Sequence, residues 1–164
     1  MQGEQRRATT RRLALALICY CACAALPAQA CWEDAAARYQ VSGTLLQAIA
    51  RTESGGNPHA IGRNRDGSRD IGLMQINSAW LPALARHGID ERDLYEPCTN
   101  LHVGAWILAH AIARYGYTWE AVGAYNAARP AARRTYIDKV RRHLDQSAPA
   151  SARDAPRNTA ANAR

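Results

Sequence analysis

No apolar run in this 164-residue sequence is long enough to cross a bilayer. The longest, Leu13 to Leu26, covers about 14 residues against the ~20 that a membrane-spanning helix needs, which argues against a stable membrane anchor. No internal repeat is visible, so a solenoid or tandem array is not expected. The histidines, His59, His87, His102, His110 and His143, stand in no ligand spacing, and few cysteines lie near them. Neither a metal site nor a cofactor is therefore expected. A concentrated basic patch is also missing: the positive residues are scattered, apart from a group in one late segment, and nucleic acid is not an expected partner.

What is present begins with an export signal. Arg6, Arg7, Arg11 and Arg12 give a positive start, the apolar run follows, and Ala28-Gln29-Ala30 forms a small-residue cleavage site. The chain thus divides into a signal peptide, 1–30, a domain, 31–145, and a tail, 146–164, expected to be disordered because it is Ala, Pro, Ser and Arg without apolar periodicity. A lipid anchor on Cys31 is disfavoured, since Ala28 and Gln29 are not the residues that usually precede a lipidated cysteine. Removing the signal's four arginines and Glu4 from 21 basic and 14 acidic residues leaves 17 and 13, a net +4. This is a mild bias towards polyanions.

Cysteine usage agrees with export to a periplasmic, oxidising compartment. Cys19, Cys21 and Cys23 lie in the signal, which leaves Cys31 and Cys98. A disulfide between them is the simplest account, worth about 4 kcal/mol in the chain-entropy picture; two separate buried thiols are the other reading.

Helical signals dominate the domain. A short helix is expected from Trp32 to Tyr39. A second should run from Ser42 or Thr44 to Ser54 and stop at Gly55-Gly56. Asp66-Gly67 marks a turn between short segments that can pair as a hairpin. Further helices are expected from Asn77 or Ser78 to His87, from Pro97 to Tyr115 with Leu101, Ala105, Leu108 and Ile112 at helical spacing, from Thr118 to Tyr125, and from Pro130 to Leu144. The fold class is mainly α with a minor β element. Trp80, Trp106 and Trp119 fall in apolar helical patterns and are expected in the core.

Glu53 stands out among the carboxylates. It follows Ile49 by four residues and Leu46 by seven, so it lies on the apolar face of its helix, in the last turn. Burial and the carbonyl end of the helix dipole both disfavour its charge and should raise its pKa. A carboxylic acid still protonated near neutral pH is what cleavage of a glycosidic bond requires. A solvated glutamate at a frayed helix end is the alternative reading of the same spacing.

Glu53-Ser54, Gly72-Leu73-Met74-Gln75 and Ala124-Tyr125-Asn126, in that order, resemble the motifs of the soluble lytic transglycosylase family, over nearly all of residues 31 to 129. The early cysteine and the segment Pro97 to Asn100 resemble its small secreted members associated with secretion systems or pili. The resemblance implies a lysozyme-like fold and peptidoglycan as substrate. Glu53 would be the acid and base that cuts the MurNAc-GlcNAc bond to leave a 1,6-anhydro end. It also implies that Ser54, Gly72, Gln75, Tyr125 and Asn126 position the sugar or the glutamate, that Met74 lines the cleft, and that a secretion or pilus component is a partner. Many members have glycine where this chain has Ala128.

Residues 64 to 80 also resemble c-type lysozymes, and there Asp70 is the matching carboxylate. Two carboxyls about 5 Å apart would make a retaining hydrolase. Asp70 is thus a second catalytic candidate; pairing with Arg63, Arg65 or Arg69 is its structural alternative. Glu33, Asp34, Glu91, Asp93, Glu96 and Glu120 are expected to be surface or capping groups and Asp66 a turn residue. Three functions follow: a lytic transglycosylase, a hydrolytic muramidase using Glu53 and Asp70, or a wall-binding assembly factor without catalysis.

Overall fold

The computed structural model describes residues 27–147. The signal and tail assignments lie outside these residues, except that 27–30 and 146–147 continue the first and last helices.

Helix α1 (Pro27–Tyr39) precedes α2 (Gly43–Ser54). Ser42 caps α2, its Oγ accepting from the Leu45 N–H at 3.3 Å. Left-handed Gly55 (φ 67°) ends it, its N–H reaching back to Arg51. A three-stranded antiparallel sheet follows, with β1 (Ile61–Arg63), β2 (Arg69–Ile71) and β3 (Ile76–Asn77) in that order. The Asp66-Gly67 turn joins the first two as expected, with the Asp66 carboxylate accepting from the Ser68 N–H at 3.0 Å and its hydroxyl at 2.7 Å. The third strand was not expected; at two residues it is too short to show alternation.

Residues Ser78–His87 are not the single helix that the spacing predicts. They form a 3₁₀ turn (Ser78–Trp80), a short α3 (Leu81–Leu84) and a second 3₁₀ turn (Ala85–His87). Pro82 explains the break, because it has no N–H to continue a helix begun upstream and is tolerated only in a first turn. After a 3₁₀ turn at Asp93–Tyr95 come α4 (Pro97–Tyr115), α5 (Trp119–Asn126) and α6 (Pro130–Ser147). Glu96 caps α4, accepting from the Thr99 N–H at 2.6 Å.

One apolar core joins these elements. Leu46 and Ile49 of α2, Leu101 and Leu108 of α4 and Val140 of α6 are all sealed from solvent within it. Cys31 and Cys98 form a disulfide, Cα atoms 5.6 Å apart, that ties α1 to the start of α4.

Among the described residues one polar side chain lies fully inside, that of Asn100. Its Oδ1 accepts from the Met74 N–H at 2.7 Å, while Nδ2 donates to the carbonyls of Ile71 (2.9 Å) and Leu94 (2.7 Å). The chain between β2 and β3 is thereby sewn onto α4. Gly72 permits it: its φ is 75°, and a Cβ there would stand 2.3 Å from the Asn100 amide nitrogen. Gly104 permits the close approach below, where a Cβ would meet Met74 at 2.8 Å.

Replacing Asn100 by alanine should strand one buried N–H and two buried carbonyls at a cost of about 3–5 kcal/mol. Thermal unfolding is expected to fall by roughly 10–20 °C, and the same loss from Gly72→Ala would be read by the same scan.

Candidate active site

Glu53 ends α2 at the wall of an open cleft of about 390 Å³, across which stand Asp70 on β2, Asn77 on β3 and Tyr125 and Asn126 on α5. The carboxyl is half-buried. Its Oε1 accepts from the Tyr136 hydroxyl of α6 at 2.6 Å. Burial is the main reason that its pKa rises from 4.5 to about 7. The Tyr136 hydrogen bond opposes the rise, the charge of Asp70 adds to it, and Lys139 and the Asn126 amide pull it back. The result is an acid close to half-protonated at neutral pH.

Asp70 sits at the centre of the small sheet, opposite Gly62 on one side and Asn77 on the other. Its Oδ2 accepts from the Asn64 amide at 3.0 Å and its Oδ1 from the Asn77 amide at 2.8 Å. The structural alternative, pairing with a neighbouring arginine, is not what forms: Arg69 turns away to Glu91 at 2.6 Å. Two neutral amides hold Asp70 in place without cancelling its charge. Glu120 pairs with Arg133, and Glu96 and Asp93 serve in caps and turns, all away from the cleft.

The residues expected to touch sugar divide into two groups. Asn126, Gln75 and Tyr125 line the cleft. Met74 does not; it is fully buried against Gly104, because Asn100 draws its backbone onto α4 and turns the side chain into the core. Gly72 is buried beneath the same turn. Ser54 donates to the Leu73 carbonyl at 2.7 Å, Gln75 Nε2 to the Gly72 carbonyl at 2.9 Å, and the Tyr125 hydroxyl to the Met74 carbonyl at 2.9 Å. These three therefore brace the turn beside Glu53. The same bracing holds Gln75 in a left-handed conformation (φ 49°) that a non-glycine residue rarely adopts. The Tyr125 hydroxyl stays protonated far above its ordinary range, chiefly because it is buried.

Sequence spacing did not single out Tyr136, Asn64 or Asn77 as site residues. Tyr136 stands on a helix 83 residues away from Glu53, and nothing local to it signals the contact. Trp80 corrects the expectation of a core position: it is half-buried and lines the cleft, held edge-on by Trp106 with ring centroids 5.4 Å apart. The break at Pro82 ends the helical pattern on which that expectation rested. Ala128 requires no left-handed backbone, and α5 ends instead on extended Ala127 (φ −142°).

Comparison with known proteins adds sequence relatives to this geometry. A family description, transglycosylase SLT domain, matches residues 30–146. Invasion protein IagB of Salmonella typhimurium is 48% identical over 115 residues, covering 67% of this chain and 72% of that protein. Protein IpgF of Shigella flexneri is 45% identical over 98 residues, covering 59% of this chain and 64% of that one. Among solved structures, an inactive mutant of the lytic transglycosylase Slt from Pseudomonas aeruginosa aligns with a TM-score of 0.60 at 20% identity. The match covers 74% of this chain but only 24% of that much longer one, and shows a shared fold.

The raised pKa of Glu53 makes a stability prediction. The folded state holds the Glu53 proton up to about pH 7, whereas the unfolded chain releases it near 4.5, so stability present below 4.5 is lost as pH rises through 7. Glu53→Gln should therefore match the parent in denaturant melts near pH 4, then gain on it up to pH 7 and level off at no more than about 3 kcal/mol. A constant difference across pH would contradict the assigned burial.

Proposed function

The chain belongs to the transglycosylase SLT domain family, whose members are peptidoglycan lytic transglycosylases, and we propose that Glu53 carries both proton transfers of that reaction. The observation that supports this reading is a carboxyl poised near pH 7 at the wall of an open cleft and hydrogen-bonded by Tyr136. In the proposed sequence Glu53 gives its proton to the oxygen linking MurNAc to GlcNAc as the bond from that oxygen to the muramic C1 breaks. The carboxylate left behind then takes the proton of the muramic C6 hydroxyl, whose oxygen closes onto C1. Water takes no part, and the glutamate ends the cycle protonated as it began.

Each neighbour has a physical task in that cycle. Tyr136 donates to the carboxylate and stabilises it between the two transfers, while Lys139 lowers its cost further. Asp70, oriented by Asn64 and Asn77, faces positive charge that develops at C1. Asn126 offers its amide to the sugar, Gln75 its amide oxygen, since its nitrogen is held by the Ala60 and Gly72 carbonyls, and Trp80 a ring face.

Asp70 also favours a second reading. A carboxylate held by two amides opposite a protonated glutamate is the arrangement of a retaining muramidase, in which Asp70 would attack or stabilise C1 and water would complete the cycle. We favour the first because Glu53 alone suffices for it.

The setting in which this chemistry takes place is likewise proposed. The leader 1–30 would deliver the domain to the periplasm with its disulfide formed, ahead of the tail 146–164. Among the described residues no helix is long and apolar enough to cross a membrane. The relatives' printed names include invasion proteins, and local opening of the wall for assembly of a secretion system or pilus is the role proposed here.

Mass analysis of the fragments released from purified peptidoglycan tests the reading. Products with 1,6-anhydromuramic ends are expected, with the rate falling by about 10²–10⁴ in Glu53→Gln. Asp70→Asn should slow cleavage by about 10² without changing the product. Reducing ends about 18 Da heavier, abolished by Asp70→Asn, would establish the muramidase instead.

A further inference from the structure

Among the described residues a depression larger than the proposed catalytic cleft lies outside it. It is a groove of about 670 Å³ between α1, the Ala85–His87 turn and α4, floored by Tyr39, Ile89 and Trp106. Arg38, His87 and His102 also stand on its walls. The one carboxylate on the lining, Asp34, is taken by His102 Nε2 at 3.3 Å. Arg38 and His87 are exposed and form no ion pair among the described residues. The Arg38 guanidinium lies 5.9 Å from the Tyr39 ring. The groove therefore offers an apolar floor beside one uncommitted guanidinium, Arg38, and one uncommitted imidazole, His87.

Its position relates it to the cleft. Trp106 belongs to the groove, Trp80 to the cleft, and the two rings meet edge to face at 5.4 Å. The two depressions therefore adjoin at this ring pair. An extended peptide advances about 3.3–3.6 Å per residue, so a branch of three or four residues leaving a sugar in the cleft can cross it.

From these observations we propose that the groove binds the acidic stem peptide carried by the muramic acid of the same glycan strand, with Arg38 and His87 meeting its carboxylates. The proposal rests on the peptidoglycan reading of the cleft and deepens it, since it makes peptide-bearing strands the preferred substrate over bare glycan. A peptide substituent of this kind has what the groove lacks: free carboxylates, together with short aliphatic side chains suited to Tyr39, Ile89 and Trp106. Such contacts are individually weak because Arg38 and His87 face solvent. Their combined effect should appear as a ratio between substrates rather than as absolute affinity.

Binding is measured on full-length Glu53→Gln protein, which holds substrate without consuming it. Calorimetric titration with a peptide-bearing glycan oligomer and with the same oligomer stripped by an amidase should show about a tenfold preference for the former. Adding Arg38→Glu and His87→Glu should bring the two affinities within about twofold, with unchanged thermal unfolding showing that the fold survives. Free stem peptide should also shift the Trp106 indole N–H resonance. Equal binding of both oligomers, or a preference that survives the charge reversals, would overturn the proposal, as would a peptide that moves resonances only elsewhere. The wild-type cleavage assay separates this from the parent reading: cleavage of both substrates without preference sinks the groove alone, whereas cleavage of neither, with the binding ratio intact, sinks the catalytic reading alone.

Discussion

The Asn100 amide is the contact on which the catalytic geometry depends. It is a short side chain inside an apolar core, with its oxygen and both directions of its NH₂ group satisfied by backbone. Each of those bonds would be modest at a surface; inside, leaving any partner unmade costs far more than the bond gains. This asymmetry gives the turn between β2 and β3 one permitted position on α4. Ser54, Gln75 and Tyr125 then find their carbonyls already aligned. The motif residues around Glu53 act largely as a clamp, and what they clamp is backbone.

A fixed turn matters to the proposed mechanism, in which Glu53 serves as acid and base in succession. A carboxyl too well solvated would lose its proton, and one too deeply buried would never release it. Its acidity near pH 7 is a balance among burial and Asp70, which favour the proton, and Tyr136, Lys139 and Asn126, which favour the charge. Four of these five influences come from side chains on separate parts of the fold: β2, α5 and α6. Small displacements of any one would shift the balance, so rigidity in the turn and acidity in the cleft are parts of one constraint.

Much of this was legible in the sequence where the controlling physics is local. The apolar spacing of Leu46, Ile49 and Glu53 placed the glutamate on its buried face, Ser42 and Gly55 bounded its helix, and Pro97 opened α4. The family motifs pointed to the right turn but not to what each residue there does. Met74 was expected in the cleft and lies in the core, because its direction is set by Asn100 from 26 positions away. The contact of Tyr136 with Glu53 escaped notice for the same reason, whereas Asn77, only seven positions from Asp70, reaches it through the β2–β3 pairing that was not expected. Side-chain spacing reports which face of an element is buried; it does not report which distant element will be found there. The break in Ser78–His87 is different, since Pro82 was visible and its consequence simply outweighed the apolar period.

The contact between Tyr136 and Glu53 also orders events in time. Glu53 leaves the ribosome early, whereas α6, which completes its surroundings, is the last element of the described fold. Until that helix docks, the glutamate faces water, behaves as an ordinary exposed carboxylate and is fully ionised at neutral pH. If Glu53 is the proposed acid, a chain still lacking that helix is without it. Any cleavage that depends on the acid would then wait for the last helix, by nothing more than the order in which the helices are encoded.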